Sequence, residues 1–157
     1  MLEPGGRAEI EIRPVTAADA EQWLAMREAL WPDESRKWHA QEVEQYFEGT
    51  LFMPLEVLIA VAEDGRGLGF AELSIRPYAE GCRSDRVAYL EGWYVVPAAR
   101  RRGVGRWLVE GAEAWALRQG CSEFASDALI DNEVSAAAHA ALGFEEVEQI
   151  RCFRKEL

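Results

Sequence analysis

Cysteine and histidine are scarce in this chain. Cys82, Cys121 and Cys152 are widely separated, and His39 and His139 are its two histidines. That spacing argues against a disulfide framework, a CxxC zinc site or a His-rich metal centre, so no metal is expected. Long hydrophobic runs are lacking too. LEVLIAVA, residues 55–62, is among the longest apolar stretches and is too short to span a bilayer. The start MLEPGGRAEIEIR has no basic segment followed by an apolar run, so no secretory signal is read there and the cytoplasm is expected. Positive charge is in short supply as well. Lys and Arg number 17 against 28 Asp and Glu, for a net charge of −11. Such a chain has no extended basic footprint for nucleic acid. Its field favours a cationic partner.

What remains is the composition of a folded protein. Of 157 residues, 49% are hydrophobic, enough to bury one continuous core. No repeat, low-complexity tract or long linker interrupts the chain, and a single domain over 9–157 is expected. EIEIRPV (9–15) alternates as a half-exposed strand does. Thr16 offers a helix N-cap, and apolar residues then recur at helical spacing up to Pro32. A second helix is predicted from about Lys37 to Phe47, closed by Gly49. EVLIAVAED and GLGFAELSI read as two strands joined at Asp64-Gly65. VAYLEGWYVV (87–96) is the longest strand-like run. From Val104 one apolar helix face leads to a stop at Gly120. CSEFAS reads as a strand, NEVSAAAHAAL as a helix, and FEEVEQI and RCFRKEL as two closing strands. The expected fold class is α/β (α+β), with about seven strands in one mixed sheet and about four helices.

The basic residues concentrate in VVPAARRRGVG, at the turn from the longest strand into a helix. No Gly-Lys-Ser or Gly-Lys-Thr follows, which removes the Walker loop. Leu108 stands where the dinucleotide fingerprint needs a small residue. R-x-x-G-x-G does fit, with Arg100, Gly103 and Gly105 in its fixed places. Such a turn suits a pyrophosphate, because small residues let the backbone approach and the first amides of a helix are unpaired donors at its positive end. Arg101, Arg102 and Arg106 add counter-charge.

The segment VVPAARRRGVGRWLVEGAEAWA resembles the acetyl-CoA-binding core of the GCN5-related N-acetyltransferases. NEVSAAAHAALGF is similar to that superfamily's N-x-x-[AS]-x-x-x-Y-x-x-x-G-F segment, with Asn132, Ser135, Gly143 and Phe144 in register. REALWP, ELSIRPY, YLEGWYVVP and CSEFASD look like the aminoglycoside 6'-N-acetyltransferases within it. The resemblance covers nearly all of the chain after residue 9. It implies a single-domain fold with splayed central parallel strands, acetyl-CoA as co-substrate, an aminoglycoside as acceptor and commonly a homodimer. The implied splay lies between 87–96 and 121–126. A bulge near Trp93 to Val95 is expected to free a backbone amide for the thioester carbonyl, that of Val95 first and Tyr94 next. Trp93, Tyr94, Val95, Arg100, Arg101, Arg102, Gly103, Val104, Gly105, Arg106, Asn132 and Ser135 are the expected acetyl-CoA contacts.

Acceptor chemistry needs a neutral amine. Glu91 is a charged residue in mid-strand, which alternation places on one face with Tyr89 and Trp93. It either accepts the proton, directly or through water, or binds a second ammonium; a structural ion pair is its other reading. Asp127, after the next strand, is a second acidic contact to the aminoglycoside or a turn and cap residue. Trp31 and Tyr78 match positions that line the antibiotic site, with burial beside Pro32 the alternative for Trp31. His139 stands where most of the superfamily has tyrosine. It either protonates the departing thiolate or simply packs on its helix. Acetylation of another cationic amine, such as a polyamine, a peptide amino terminus or a metabolite, and a non-catalytic acyl-CoA module are the competing functions.

Overall fold

The computed structural model describes residues 9–157. Most of the segment read for a secretory signal therefore lies outside the described residues. Five strands form one sheet in the order β1-β2-β3-β4-β5: β1 (Ile10–Pro14), β2 (Glu56–Ala62), β3 (Gly67–Arg76), β4 (Val87–Val95) and β5 (Phe124–Ser126). Neighbours run antiparallel except β4 and β5, which are parallel. Four helices flank the sheet: α1 (Ala20–Leu30), α2 (Arg36–Glu48), α3 (Val104–Arg118) and α4 (Glu133–Ala141).

Period-two alternation sorts the two cores. Val57, Ile59 and Phe70 pack under α1 and α2 with Trp23 and Met26, whereas Leu58, Ala60, Ala71 and Leu73 pack under α3 with Leu108 and Ala112. The central strands are thus apolar on both faces, as a sheet covered by helices on both sides requires. Helix ends follow their local chemistry. Ser35 Oγ accepts from the Trp38 amide to start α2, and Gly49 at φ 75° ends it in the left-handed region. The chain turns between β2 and β3 at Asp64-Gly65, as the dipeptide predicts, with Gly65 N–H donating to the Ala62 carbonyl. Thr16 precedes a short 3-10 turn (Ala17–Asp19) rather than α1 itself. Buried Asp19 accepts two hydrogen bonds from Arg13, at 2.7 and 3.0 Å, and these hold its carboxyl at about 2.

The strand count differs from expectation. FEEVEQI and RCFRKEL form no strand in the single chain, and residues 145–157 are largely exposed, Phe153 by 91%. Their alternation is a real strand pattern, but a strand forms only where a second edge supplies hydrogen bonds.

The other difference lies in β4. Leu90 pairs with Leu73 and Gly92 with Glu72, so Glu91 is an extra residue opposite no partner. The bulge is therefore at Glu91, upstream of the expected Trp93 to Val95. It also resets the alternation. Tyr89 and Glu91 remain on the α1/α2 side, while Trp93 moves to the α3 side beside Leu90. The shared face expected for Tyr89, Glu91 and Trp93 does not form.

Candidate active site

β5 pairs with β4 over three residues, and Leu90 opposite Ser126 is the last pair. Beyond it, Glu91 to Val95 continue without a neighbour on that side, so the two parallel strands fork at the bulge. Val96 N–H donates to the Leu68 carbonyl. Alternation then turns the Val95 amide away from β3 and into the fork, and turns the Tyr94 amide toward β3. Tyr94 itself packs with Phe70 on the α1/α2 side. The Val95 carbonyl accepts from Arg100 Nε at 2.9 Å, and the Arg100 guanidinium lies 5.7 Å from the Tyr94 ring centre.

The mouth of the fork is the turn into α3. Arg101 has φ 61° and Gly103 has φ 89°, two consecutive departures into the left-handed region within three residues. The turn leads the chain sharply from β4 into α3, whose N-cap, Gly103, has no side chain to accept from the first amides of the helix. Free amides at the positive end of a 15-residue helix, with the exposed Arg101 and Arg106 nearby, fit a pyrophosphate. Gly105 has a packing reason for being small, since a Cβ there would come within 3.1 Å of the Trp93 ring. Trp93 Nε1 donates to the Gly105 carbonyl at 3.2 Å, tying β4 to the first turn of α3. Val104 is buried beneath that turn. Arg102 is directed elsewhere and lines a groove with Asp64 and Arg66 of the β2–β3 turn.

On the opposite face of β4 an open cleft of about 300 Å³ lies between α1, α2 and the sheet. Trp31, Trp38, Glu34, Glu42, Glu72 and Glu91 line it together with Arg27. Four carboxylates face the guanidinium groups of Arg27 and of Arg76 behind Glu91, so acidic groups outnumber basic ones around the cleft. Glu91 is held firmly there. Arg76 donates to it twice, Nε to Oε1 at 2.9 Å and Nη2 to Oε2 at 2.7 Å, and the Ser74 hydroxyl also donates to Oε1. A carboxylate has about four acceptor sites, so one on Oε2 stays open. The Arg76 guanidinium also lies 3.6 Å from the Tyr89 ring centre. Tyr89 donates its hydroxyl to Asp127 at 2.6 Å, and burial, followed by that carboxylate, pushes the phenol upward. Glu91 and Asp127 are thus linked through Arg76 and Tyr89.

Beneath the cleft, Arg27 donates to Glu72 at 2.8 Å and to Glu42, and its Nε reaches His39 Nδ1 at 3.4 Å. His39 Nε2 bonds the Trp31 carbonyl at 3.0 Å, which fixes the hydrogen on that nitrogen. Trp31, Trp23 and Trp38 surround the guanidinium at 5.1 to 5.7 Å. Trp31 is half-buried against the α1/α2 core and forms part of the cleft wall. Its ring lies against Gly92, where a Cβ would fall 2.6 Å away. Burial pushes the Glu72 carboxyl upward, against the pull of Arg27 and the Trp23 indole. Tyr78 is 66% exposed in the β3–β4 connection and is not among the cleft's lining residues.

Asn132 and Ser135 have a local explanation. Asn132 Oδ1 accepts from the Ser135 amide at 3.0 Å and caps α4. His139, one turn further on, bonds Ser126 Oγ through Nε2 at 2.8 Å and the Ser135 carbonyl through Nδ1 at 2.7 Å. Sequence reasoning did not single out Ser74, Arg76, Glu72, Arg27 or Ser126. For three of them a signal existed: Glu72, Ser74 and Arg76 recur at i, i+2 and i+4, a polar face on an otherwise buried strand.

Comparison with known proteins supplies the class of fold to which the forked parallel pair and the uncapped helix amino terminus belong. The sequence model of the acetyltransferase (GNAT) family matches residues 23–144, and the chain belongs to that family. An aminoglycoside N(6')-acetyltransferase type 1 of Klebsiella aerogenes is 58% identical over 146 residues, 93% of this chain and 96% of the relative. One from Acinetobacter genomosp. 13 is 40% identical over 94% of this chain and 99% of the relative. Among solved structures, the aminoglycoside N-acetyltransferase AAC(6')-Iy bound to CoA is 38% identical with a TM-score of 0.88, covering 99% of this chain and 100% of its own. The same enzyme with the bisubstrate analogue CoA-S-monomethyl-acetylneamine superposes with a TM-score of 0.86, at 38% identity over 94% and 99% of the two chains.

Proposed function

We propose that this protein transfers the acetyl group of acetyl-CoA to the 6'-amino group of aminoglycoside antibiotics. The observation that carries the reading is the position of Glu91. It marks the bulge where the strands fork, and its side chain enters the acidic cleft on the other face of β4. One strand thereby separates an anion-binding turn from a cation-binding cleft. The relatives named above act on aminoglycosides, and one is bound to a CoA–aminoglycoside analogue.

Acetyl-CoA supplies the thioester. On this chain the α3 amino-terminal amides, from Gly103 to Arg106, and Arg101 hold the pyrophosphate, and the Val95 amide donates to the thioester carbonyl, where negative charge develops. The carboxylates of the cleft hold the ammonium groups of the antibiotic, with Trp31 as a wall and Asp127 at the far end of the Arg76–Tyr89 link. Because Arg76 and Ser74 occupy three of the acceptor positions of Glu91, that carboxylate has room for one further hydrogen bond, on Oε2. This is enough to orient the reacting amine or a water that removes its proton. Residues 9–157 act as one catalytic domain in the cytoplasm.

The active species is a homodimer. β5 leaves an open sheet edge, and the strand-patterned segment 145–157 exposes Val147, Ile150 and Phe153. Exchange of that segment onto a second copy satisfies both. Light scattering should give twice the chain mass for the full protein and a monomer after removal of residues 145–157; a full-length monomer rejects this.

The decisive test of function is a coenzyme A release assay with kanamycin, tobramycin and spermine, with the acetylated nitrogen located by NMR. Turnover of the two antibiotics at the 6'-nitrogen is expected. No turnover of any 2-deoxystreptamine antibiotic, or a preference for spermine, overturns the reading.

A further inference from the structure

Glu72 lies on the floor of the cleft, in the middle of β3, and is 3% exposed. Its partner across the sheet is Gly92, the residue after Glu91. Glu72 Oε1 accepts from Arg27 Nη1 at 2.8 Å and from Trp23 Nε1 at 3.0 Å, which uses both lone pairs of that oxygen. Oε2 accepts from no group among the described residues. No fully buried side-chain oxygen or nitrogen among those residues lacks a partner. Oε2 is therefore not sealed in the core, and it opens on the cleft that Glu72 lines.

The charges around that oxygen do not balance. Arg27 and Arg76 bring two positive charges, whereas Glu42, Glu72 and Glu91 bring three negative ones. Arg27 from α1 is shared between Glu42 of α2 and Glu72, and Arg76 is committed to Glu91 of β4. The remaining titratable groups packed here supply no positive charge. His39 of α2 accepts from Arg27 on Nδ1, Tyr46 of α2 bonds Glu56 of β2 at 3.5 Å, and burial pushes that phenol up to about 12. Glu34, at the rim, is exposed to water. One negative charge is left over, and Glu72 is the most deeply buried of the three carboxylates, its side chain 5% exposed against 17% and 23%. A buried charge without a counter-charge is costly, so a proton or a cation must supply the balance. Burial pushes the Glu72 carboxyl up to about 7, against the pull of Arg27, so the empty cleft takes a proton. With both lone pairs of Oε1 in use, that proton sits on Oε2.

Resting on the acetyltransferase reading above, we infer that Glu72 Oε2 is a specificity-determining contact for a second, non-reacting ammonium group of the acceptor, which displaces a proton from that oxygen. An ammonium brings the missing positive charge and N–H donors to the open oxygen, and Oε2 gives its hydrogen to water as the ammonium arrives. The indole walls of Trp31 and Trp38 suit an organic ammonium. No group of His, Cys, Asp and Glu among the described residues is placed to hold a metal ion. The amine that is acetylated must be neutral, whereas surplus negative charge keeps a nitrogen protonated. The nitrogen on Glu72 is therefore not the one acetylated, and the cleft selects acceptors with at least two amino groups. Proton and ammonium compete for one oxygen, so acceptor affinity rises with pH through the raised value of the free carboxyl.

The test follows the carboxyl itself. Carbon-13 NMR of the glutamate side chains is recorded with CoA present, so that an acceptor binds without turnover. The wild type should show the assigned Glu72 carboxyl titrating near neutrality, and saturating kanamycin should move its midpoint down by about one pH unit or more. A carboxylate that only braces Arg27 would keep its midpoint. Glu72→Gln retains the acceptor oxygen for Arg27 and Trp23 and removes the charge at Oε2. Once its fold is checked by circular dichroism, it should raise KM for kanamycin about tenfold or more and leave kcat within about threefold. The wild-type titration decides the matter even if that variant does not fold. If kanamycin is not acetylated but kanamycin or spermine moves the midpoint, the function reading fails while the Glu72 contact stands. If kanamycin is acetylated and the midpoint stays in place, the inference fails and the function reading stands. A midpoint that neither amine moves, or an unchanged KM in folded Glu72→Gln, overturns the inference.

Discussion

Glu91→Gln is the substitution that most directly separates the roles open to this residue. In the folded protein the carboxylate accepts from Arg76 at 2.9 and 2.7 Å and from the Ser74 hydroxyl. A glutamine retains one acceptor oxygen and replaces the other with an amide NH2. Whichever way it turns, one guanidinium N–H then faces another N–H. One charge-assisted hydrogen bond is lost, worth roughly 1.5–3 kcal/mol when buried. Arg76 is 34% exposed and its partner 17%, so solvent screening reduces the cost to about 1–2 kcal/mol. For a chain of this size that lowers the melting temperature by about 3–6 °C. Loss of the carboxylate should also lower kcat/KM for kanamycin by about 10²-fold or more, if it orients the amine or the water that deprotonates it. Arg76→Met breaks the same ion pair, so its stability should fall by a similar amount, but it keeps the carboxylate and should keep most of the activity. Differential scanning calorimetry and steady-state kinetics on the two variants read both effects. Equal loss of kcat/KM in both would show that Glu91 works only as half of an ion pair bracing β4. Near-normal kcat/KM in Glu91→Gln would remove it from the acceptor site altogether.

Gly103→Glu places a carboxylate at the α3 amino terminus on a residue with φ 89°, so CoA binding by calorimetry should be lost, whereas Gly103→Asn, which tolerates that φ, should still bind; unchanged affinity of the Glu variant refutes the pyrophosphate turn. Gly92→Ala sets a methyl 2.6 Å from the Trp31 ring, so the ring must move. Overpacking of about 1–3 kcal/mol and a raised KM for the antibiotic are expected, with the indole fluorescence reporting the shift; an unaltered KM and spectrum contradict Trp31 as a cleft wall. Asp19 should give an acid limb to stability. Its folded value of about 2 lies below the ordinary 3.8, so its contribution is present above the ordinary value and is lost as pH falls through the folded one. Chemical denaturation should show about 2 kcal/mol disappearing between roughly pH 4 and pH 2 in the wild type and not in Asp19→Asn; parallel pH profiles would refute the Arg13–Asp19 account.

Local chemistry was enough to place most elements. The hairpin at Asp64-Gly65, the stop at Gly49 and the apolar face of α3 depend on residues within a few positions of one another, and α2, α3 and α4 came out within a residue or two of where spacing puts them, whereas α1 starts at Ala20, behind the 3-10 turn that follows Thr16. The turn into α3 was equally legible, because a left-handed glycine and an uncapped helix start are properties of one short segment. The bulge was not. Whether β4 carries an extra residue at Glu91 depends on its register with β3, and no composition of β4 alone reveals it; yet that one residue decides which face Trp93 occupies. The pairing of Arg76 with Glu91 joins residues 15 apart, and that of Ser126 with His139 brings β5 to α4. Such contacts arise only when strands and helices meet. The sequence by itself determined the family's fold, the glycine turn into α3 and an excess of carboxylate over basic residues. Only the tertiary structure decided which carboxylates face the cleft, which partners hold them, and that a serine at the strand fork bonds the histidine. Periodicity records what a residue prefers locally, whereas a hydrogen bond is set by distances of about 3 Å between segments far apart in the chain.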